Sequence, residues 1–153
     1  MNSCKGTVDF VQNSLDLSRY SGVWYEMQRS KNNTFEKGQC NTAEYYTKEG
    51  GIRNIGTEYY ISSKTNKKNE SHCEVCDPNN NAHWKISFGM GIWADYRVIA
   101  TDYDTFSVIY SKNDNWMSKW WDLEFVWILA RKPLVVGSEE RDLLLKKAWV
   151  AFK

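Results

Sequence analysis

The chain has 153 residues, most simply one domain long enough to bury its own core. A formal charge of +1 gives no broad electrostatic reason to expect nucleic acid, and no apolar run approaches the roughly 20 residues of a membrane-spanning helix. Aromatic residues make up 15 %, with eight Trp and nine Tyr in a chain of polar mean hydropathy, a combination that asks for elements with one apolar face and one wet face.

Met1-Asn2-Ser3-Cys4-Lys5 shows no apolar signal-peptide core, so the chain reads as a mature secreted form with an added methionine or as a cytosolic protein. An even cysteine count (Cys4, Cys40, Cys73 and Cys76) leans toward secretion, as do the sequons at Asn32 and Asn69. Asp16 or Ser18 is placed to cap one helical turn, and a first strand follows over 23–29. Lys31 to Gly38 reads as a long loop, 42–47 as a strand, and Glu49-Gly50-Gly51 as a hairpin turn into a strand over 52–61. Residues 62–69, with Lys64, Lys67 and Lys68 among Ser, Thr and Asn, read as a solvated connection.

Further strands are expected over 71–77 and, past the Pro78–Asn81 turn, over 83–88. Gly89 and Gly91 loosen the link to a strand over 96–101. Asp102-Tyr103-Asp104 turns the chain into 106–110, a polar loop covers 112–118, and a last strand runs over 120–130. Ser138, followed by Glu139 and Glu140, is an N-cap for a helix over about 138–150, whose Leu144, Leu145, Ala148, Trp149 and Phe152 share one face. Eight sequential antiparallel strands with one apolar face close most simply into an up-and-down barrel, although periodicity leaves a sandwich open.

Three stretches narrow this: Gly22-Val23-Trp24-Tyr25-Glu26, Ala100-Thr101-Asp102-Tyr103 and Val126-Trp127-Ile128-Leu129-Ala130-Arg131. In that order they resemble the lipocalin signature, and with 35–40 and Trp127-Ile128-Leu129-Ala130-Arg131-Lys132-Pro133 they resemble the group of apolipoprotein D, the insect bilin-binding proteins and the bacterial lipocalin. The resemblance implies an all-β, eight-stranded barrel with one C-terminal helix outside, in a single domain over 1–153: an N-terminal segment 1–21, a barrel over about 22–131, then the helix. It also implies a closed end built by Gly22, Trp24, Asp102, Tyr103 and Arg131, with the guanidinium stacked over the indole.

Alternation puts Trp84, Ile86 and Phe88 inside the barrel, because His83, Lys85 and Ser87 are polar. The resemblance places Tyr45, Tyr96 and Trp127 inside as well. Ala43, Val98, Phe125 and Leu129 follow by parity. Gly56 and Tyr60 stand where the group carries a polar Asn and an Arg, which widens one wall and removes two polar handles. Glu26 and Glu58 also fall on inward positions; each then has a partner, sits at the open mouth, or faces solvent with the parity shifted, and we expect the last.

His72-Cys73-x-x-Cys76 followed by His83 invites a zinc reading, but Cys73 and Cys76 point to opposite faces of a strand, and no metal is expected. The four cysteines are disulfide candidates. In the related group, cysteines matching Cys4 and Cys40 have partners that this chain lacks, so the pairing differs, and three connectivities are open. No nucleotide or hydrolase fingerprint is present, and no enzymatic activity is expected.

The resulting expectation is a secreted protein that binds and carries or sequesters a small hydrophobic molecule such as a lipid, sterol or retinoid. Loops over 30–39 and 112–118 gate entry. Rivals are a pigment carrier holding a bilin or carotenoid, an isomerase or synthase using a barrel cysteine, and a partner-binding module with a filled core. No cofactor beyond such a ligand and no nucleic-acid partner is expected, and the oligomeric state is left open.

Overall fold

The computed structural model describes residues 14–31, 37–49, 51–87, 93–113 and 123–152. A helical turn, α1 (Leu17–Tyr20), leads into β1 (Gly22–Arg29), β2 (Gln39–Lys48), β3 (Gly51–Tyr60), β4 (Thr65–Asp77), β5 (Asn80–Ser87), β6 (Trp93–Thr101), β7 (Phe106–Asn113) and β8 (Leu123–Ala130), and α2 (Glu139–Phe152) follows. Each strand pairs antiparallel with the next, and β8 returns to β1, closing the barrel. Closure removes the two sheet edges that an open meander of this length would expose.

Period two sorts the side chains into two cores. Inside lie Tyr20, Trp24, Tyr45, Ile52, Cys73, Trp84, Ile86, Tyr96, Val98, Ile109 and Leu129. Outside, Ile99, Phe106, Val108 and Ile128 meet Leu144, Leu145, Ala148 and Phe152 of α2. The helix stripe is therefore explained by packing on the outer surface of β6 and β7. Trp149 is less buried than its place in that stripe implied, 40 % exposed with its ring edge-on to Phe152. Asp16 caps α1 by accepting from the Ser18 and Arg19 amides, and Ser138 accepts from the Arg141 amide at the start of α2.

The strand order matches the sequence reading, but several bounds move. The largest change is β4, which begins at Thr65 where a polar connection was expected. Its first six residues are exposed and polar on both faces, so they carry no period-two signal, yet they pair in continuous register with β3 from Tyr60↔Thr65 to Ile55↔Glu70. A bulge between Glu26 and Gln28 on β1 also shifts parity, so that Glu26 faces Leu129 and Arg29 faces Trp127.

Candidate ligand-binding site

The hairpins β2–β3, β4–β5 and β6–β7 gather at one end of the barrel, and α1 plugs it. Tyr20 points up from the plug into the interior, its hydroxyl 2.8 Å from Ser107 Oγ. Trp24 is fully buried and donates from Nε1 to the Tyr20 carbonyl at 2.9 Å. The Arg131 guanidinium lies 3.8 Å over the Trp24 ring. It donates to the carbonyls of Arg19, Tyr20, Ser21, Val23 and Tyr103, which ties α1, β1 and the β6–β7 turn to the end of β8. Gly22 is required beneath it: φ is +105°, and a Cβ there would lie 3.3 Å from Arg131 Nη1.

Asp102 organises the β6–β7 turn by accepting from the Thr105 and Phe106 amides and from Lys147 Nζ of α2 at 2.7 Å. Burial pushes its carboxyl up, but the bonds from Lys147, Thr105 and Phe106 outweigh it and hold the group well below the usual carboxylate range. The folded state thus resists protonation. Its stabilisation is complete above the ordinary carboxylate range and is lost as pH falls through that range toward the depressed folded value. Asp102→Asn should accordingly lower the melting temperature at neutral pH and flatten its acid dependence. A variant that keeps the wild-type acid profile would remove Asp102 from this role.

Above the plug a chain of rings climbs the interior. Tyr20, Tyr45 and Trp84 lie with centroids 5.3–5.9 Å apart, and Trp84 stacks on Tyr96 at 5.9 Å and 13°. Tyr45 and Tyr96 hydroxyls hydrogen-bond to each other. Burial, with Tyr96 alongside, pushes the Tyr45 phenol well above its ordinary value. Trp127 continues from Tyr96 at 6.1 Å, and Phe125 from Trp127 at 5.9 Å. Tyr45, Trp84, Ile86, Tyr96, Val98, Phe125, Trp127 and Leu129 thus share the inner face by register. Phe88 lies outside the described residues.

The opposite wall is polar. On β3 the register puts Ile52, Asn54, Gly56, Glu58 and Tyr60 on the inner face. Glu26 and Glu58, expected to face solvent, turn inward instead because both have partners. Glu26 pairs with Arg29 Nη1 at 3.0 Å, and Glu58 accepts from the Tyr60 hydroxyl at 2.7 Å and the Gly38 amide at 3.5 Å. The Glu58 bond in turn raises the Tyr60 phenol. The cost rule for lone buried carboxylates missed them, since partners on neighbouring positions offset that cost.

The cysteine expectation needs correction. Cys40 and Cys73 are free, while Cys76 is disulfide-bonded; Cys4 lies outside the described residues. Cys73 points into the barrel core, where burial pushes its thiol up to about 12, and Cys40 is exposed on β2. Nor do the zinc candidates converge. Cys73 faces in, whereas His72 pairs with Glu74 and His83 with Asp95 on the outer face. Mass mapping should find Cys40 labelled in the native protein, Cys73 only after unfolding, and Cys76 only after reduction. Labelling of Cys76 without reductant would break this assignment.

A closed eight-stranded up-and-down barrel, plugged at one end and lined with rings, is an architecture whose interior is filled by side chains or holds one small molecule. The chain belongs to the lipocalin family: the model of the lipocalin-like domain matches residues 15–151. It is 33 % identical over 131 residues to apolipoprotein D of Cavia porcellus, covering 79 % of this chain and 63 % of that one. It is 28 % identical to outer membrane lipoprotein Blc of Vibrio cholerae over 95 % of this chain and 81 % of that protein. This chain therefore spans a little under two thirds of the apolipoprotein D it matches. Insecticyanin from the tobacco hornworm Manduca sexta shares the fold at a TM-score of 0.68 and 21 % identity, over 93 % of this chain and 77 % of the other.

Proposed function

We propose that the protein binds one small hydrophobic molecule inside its barrel and carries or sequesters it outside the reducing cytosol. The observation that carries this reading is the ring ladder. It runs from the packed Trp84–Tyr96 stack to the half-buried Trp127, whose indole shares the inner face with Phe125 and Leu129. Area burial on such a wall would hold an apolar molecule at about 25 cal/mol per Å². The Cys76 disulfide supports an oxidising compartment.

Binding is favoured over catalysis by a barrel cysteine. A thiol held near 12 presents almost no thiolate at neutral pH, and the relatives' names, an apolipoprotein and a lipoprotein, describe no enzyme.

The first test is native mass spectrometry of protein purified from its source, with a visible absorption spectrum to recognise a coloured ligand. A bound apolar molecule of defined mass is expected; an empty barrel that also takes up no apolar probe would favour the filled-core module. Trp127→Ala should weaken binding of that molecule by about 1 kcal/mol or more, the scale of one lost aromatic contact. Trp149→Ala, on the outer helix, should leave affinity unchanged. Equal affinity in wild type and Trp127→Ala would move the ligand elsewhere.

A further inference from the structure

We propose that the barrel selects amphiphiles whose polar end is an alcohol over the carboxylic acids of the same chain length. This rests on the ligand-binding reading and specifies its chemistry. The decisive group is Asn54, 9 % exposed on the inner face of β3, in register with Tyr45 on one side and Ser71 on the other. Its Oδ1 is buried and, among the described residues, has no hydrogen-bond partner. A buried acceptor left unpaired is expensive, and one aimed into a container is matched when the contents supply a donor. Ser71 does not supply it, because its hydroxyl donates to the Asn54 backbone carbonyl at 3.3 Å.

Room opens two residues along the strand from the amide. Gly56 is the next inward position toward the open end, and a Cβ built there would meet nothing nearer than the Asn69 carbonyl at 3.8 Å. A hydroxyl beside Gly56 can donate to Asn54 Oδ1. Its hydrocarbon then reaches the apolar wall of Phe125, Trp127 and Leu129, across the barrel from β3.

A carboxylate has no such fit. It cannot donate, and Glu26 and Glu58 stand on the inner face closer to the mouth. The cations on that face are committed or remote among the described residues. Arg29 is held by Glu26 at 3.0 Å and by the Gly38 carbonyl at 3.0 Å, and Lys67, opposite Glu58 in register, is exposed at the rim. An ionised headgroup would therefore meet acceptors where it needs donors.

The experiment is calorimetric titration of the whole chain at neutral pH with dodecanol, its methyl ether and dodecanoate. These share a tail and differ in whether the head donates, only accepts, or is charged. Wild type should bind the alcohol about tenfold more tightly than either of the others, the size of one well-placed hydrogen bond. Asn54→Leu should bring the alcohol down to the affinity of the ether while leaving the ether unchanged. Should Asn54→Leu fail to fold, the three-ligand comparison on wild type decides alone. Equal binding of all three, or tightest binding of the acid, overturns the selection and leaves the container reading standing. If none of the three binds, the container reading itself falls.

Discussion

Trp24→Ala is expected to destabilise the protein by about 3–5 kcal/mol, the range for deleting a large aromatic from a packed core. The indole is fully buried, contacts Tyr20 at a centroid distance of 5.2 Å, and forms the floor on which the Arg131 guanidinium rests. Truncation would open a cavity at the plug, remove the Nε1 bond to the Tyr20 carbonyl and leave that guanidinium without its platform. The cation–π share of the loss is about 0.5–2 kcal/mol, so most of the effect is packing. Arg131→Lys makes the complementary case: it keeps the charge but cannot span five carbonyls with one planar fork. Denaturant unfolding of both variants checks this, with ligand affinity measured per folded molecule. A Trp24→Ala protein with unchanged midpoint and lost binding would move Trp24 from the scaffold to the site.

This closed end was the most legible part of the molecule in its sequence. Gly22, Trp24, Asp102, Tyr103 and Arg131 are far apart in the chain, and it was their match to the lipocalin signature that set them together at one end. Gly22 provides a positive φ, Trp24 a large buried ring, and Arg131 a fork of donors. Of the ring ladder, alternation on β5 marked Trp84 without reference to the rest of the fold, whereas Tyr45, Tyr96 and Trp127 were placed inside by the resemblance.

What the pattern did not carry depends on pairs of strands. The polar half of β4 is a strand because β3 lies beside it, and its own residues contain no hint of that. Glu26 and Glu58 can face inward only because Arg29 follows a bulge and Tyr60 lies two residues along from Glu58, and a bulge leaves no compositional mark. The free Cys73 was hidden by the even cysteine count, which argues for pairing regardless of which way each side chain points.

Arg97 is the largest feature missing from the sequence reading. Tyr96 and Val98 face in, so Arg97 belongs to the outer face, where an arginine is ordinarily solvated. Here it is 1 % exposed, with Nε 2.8 Å from an Asp95 carboxylate that is equally buried and whose other oxygen lies 2.6 Å from His83 Nε2. The spacing Asp95-x-Arg97 opposite His83 was the one available signal, since residues two apart on a strand share a face. Tyr110, opposite Arg97 in register, belongs to the outer core under α2, which places this ionic group at the margin of that core.

Arg97→Leu is expected to cost about 3–5 kcal/mol, because it removes the guanidinium and leaves the Asp95 carboxylate buried beside the His83 ring. The double variant Asp95→Asn with Arg97→Leu should recover much of that loss, since a neutral amide no longer demands the cation. Affinity for an interior ligand should stay at the wild-type level in both, because the group lies on the other side of the sheet from Tyr96 and Trp127. Thermal unfolding of the single and double variants measures the coupling. If Arg97→Leu unfolds within about 1 kcal/mol of wild type, water reaches Asp95 in solution and the pair is a surface bridge of ordinary strength.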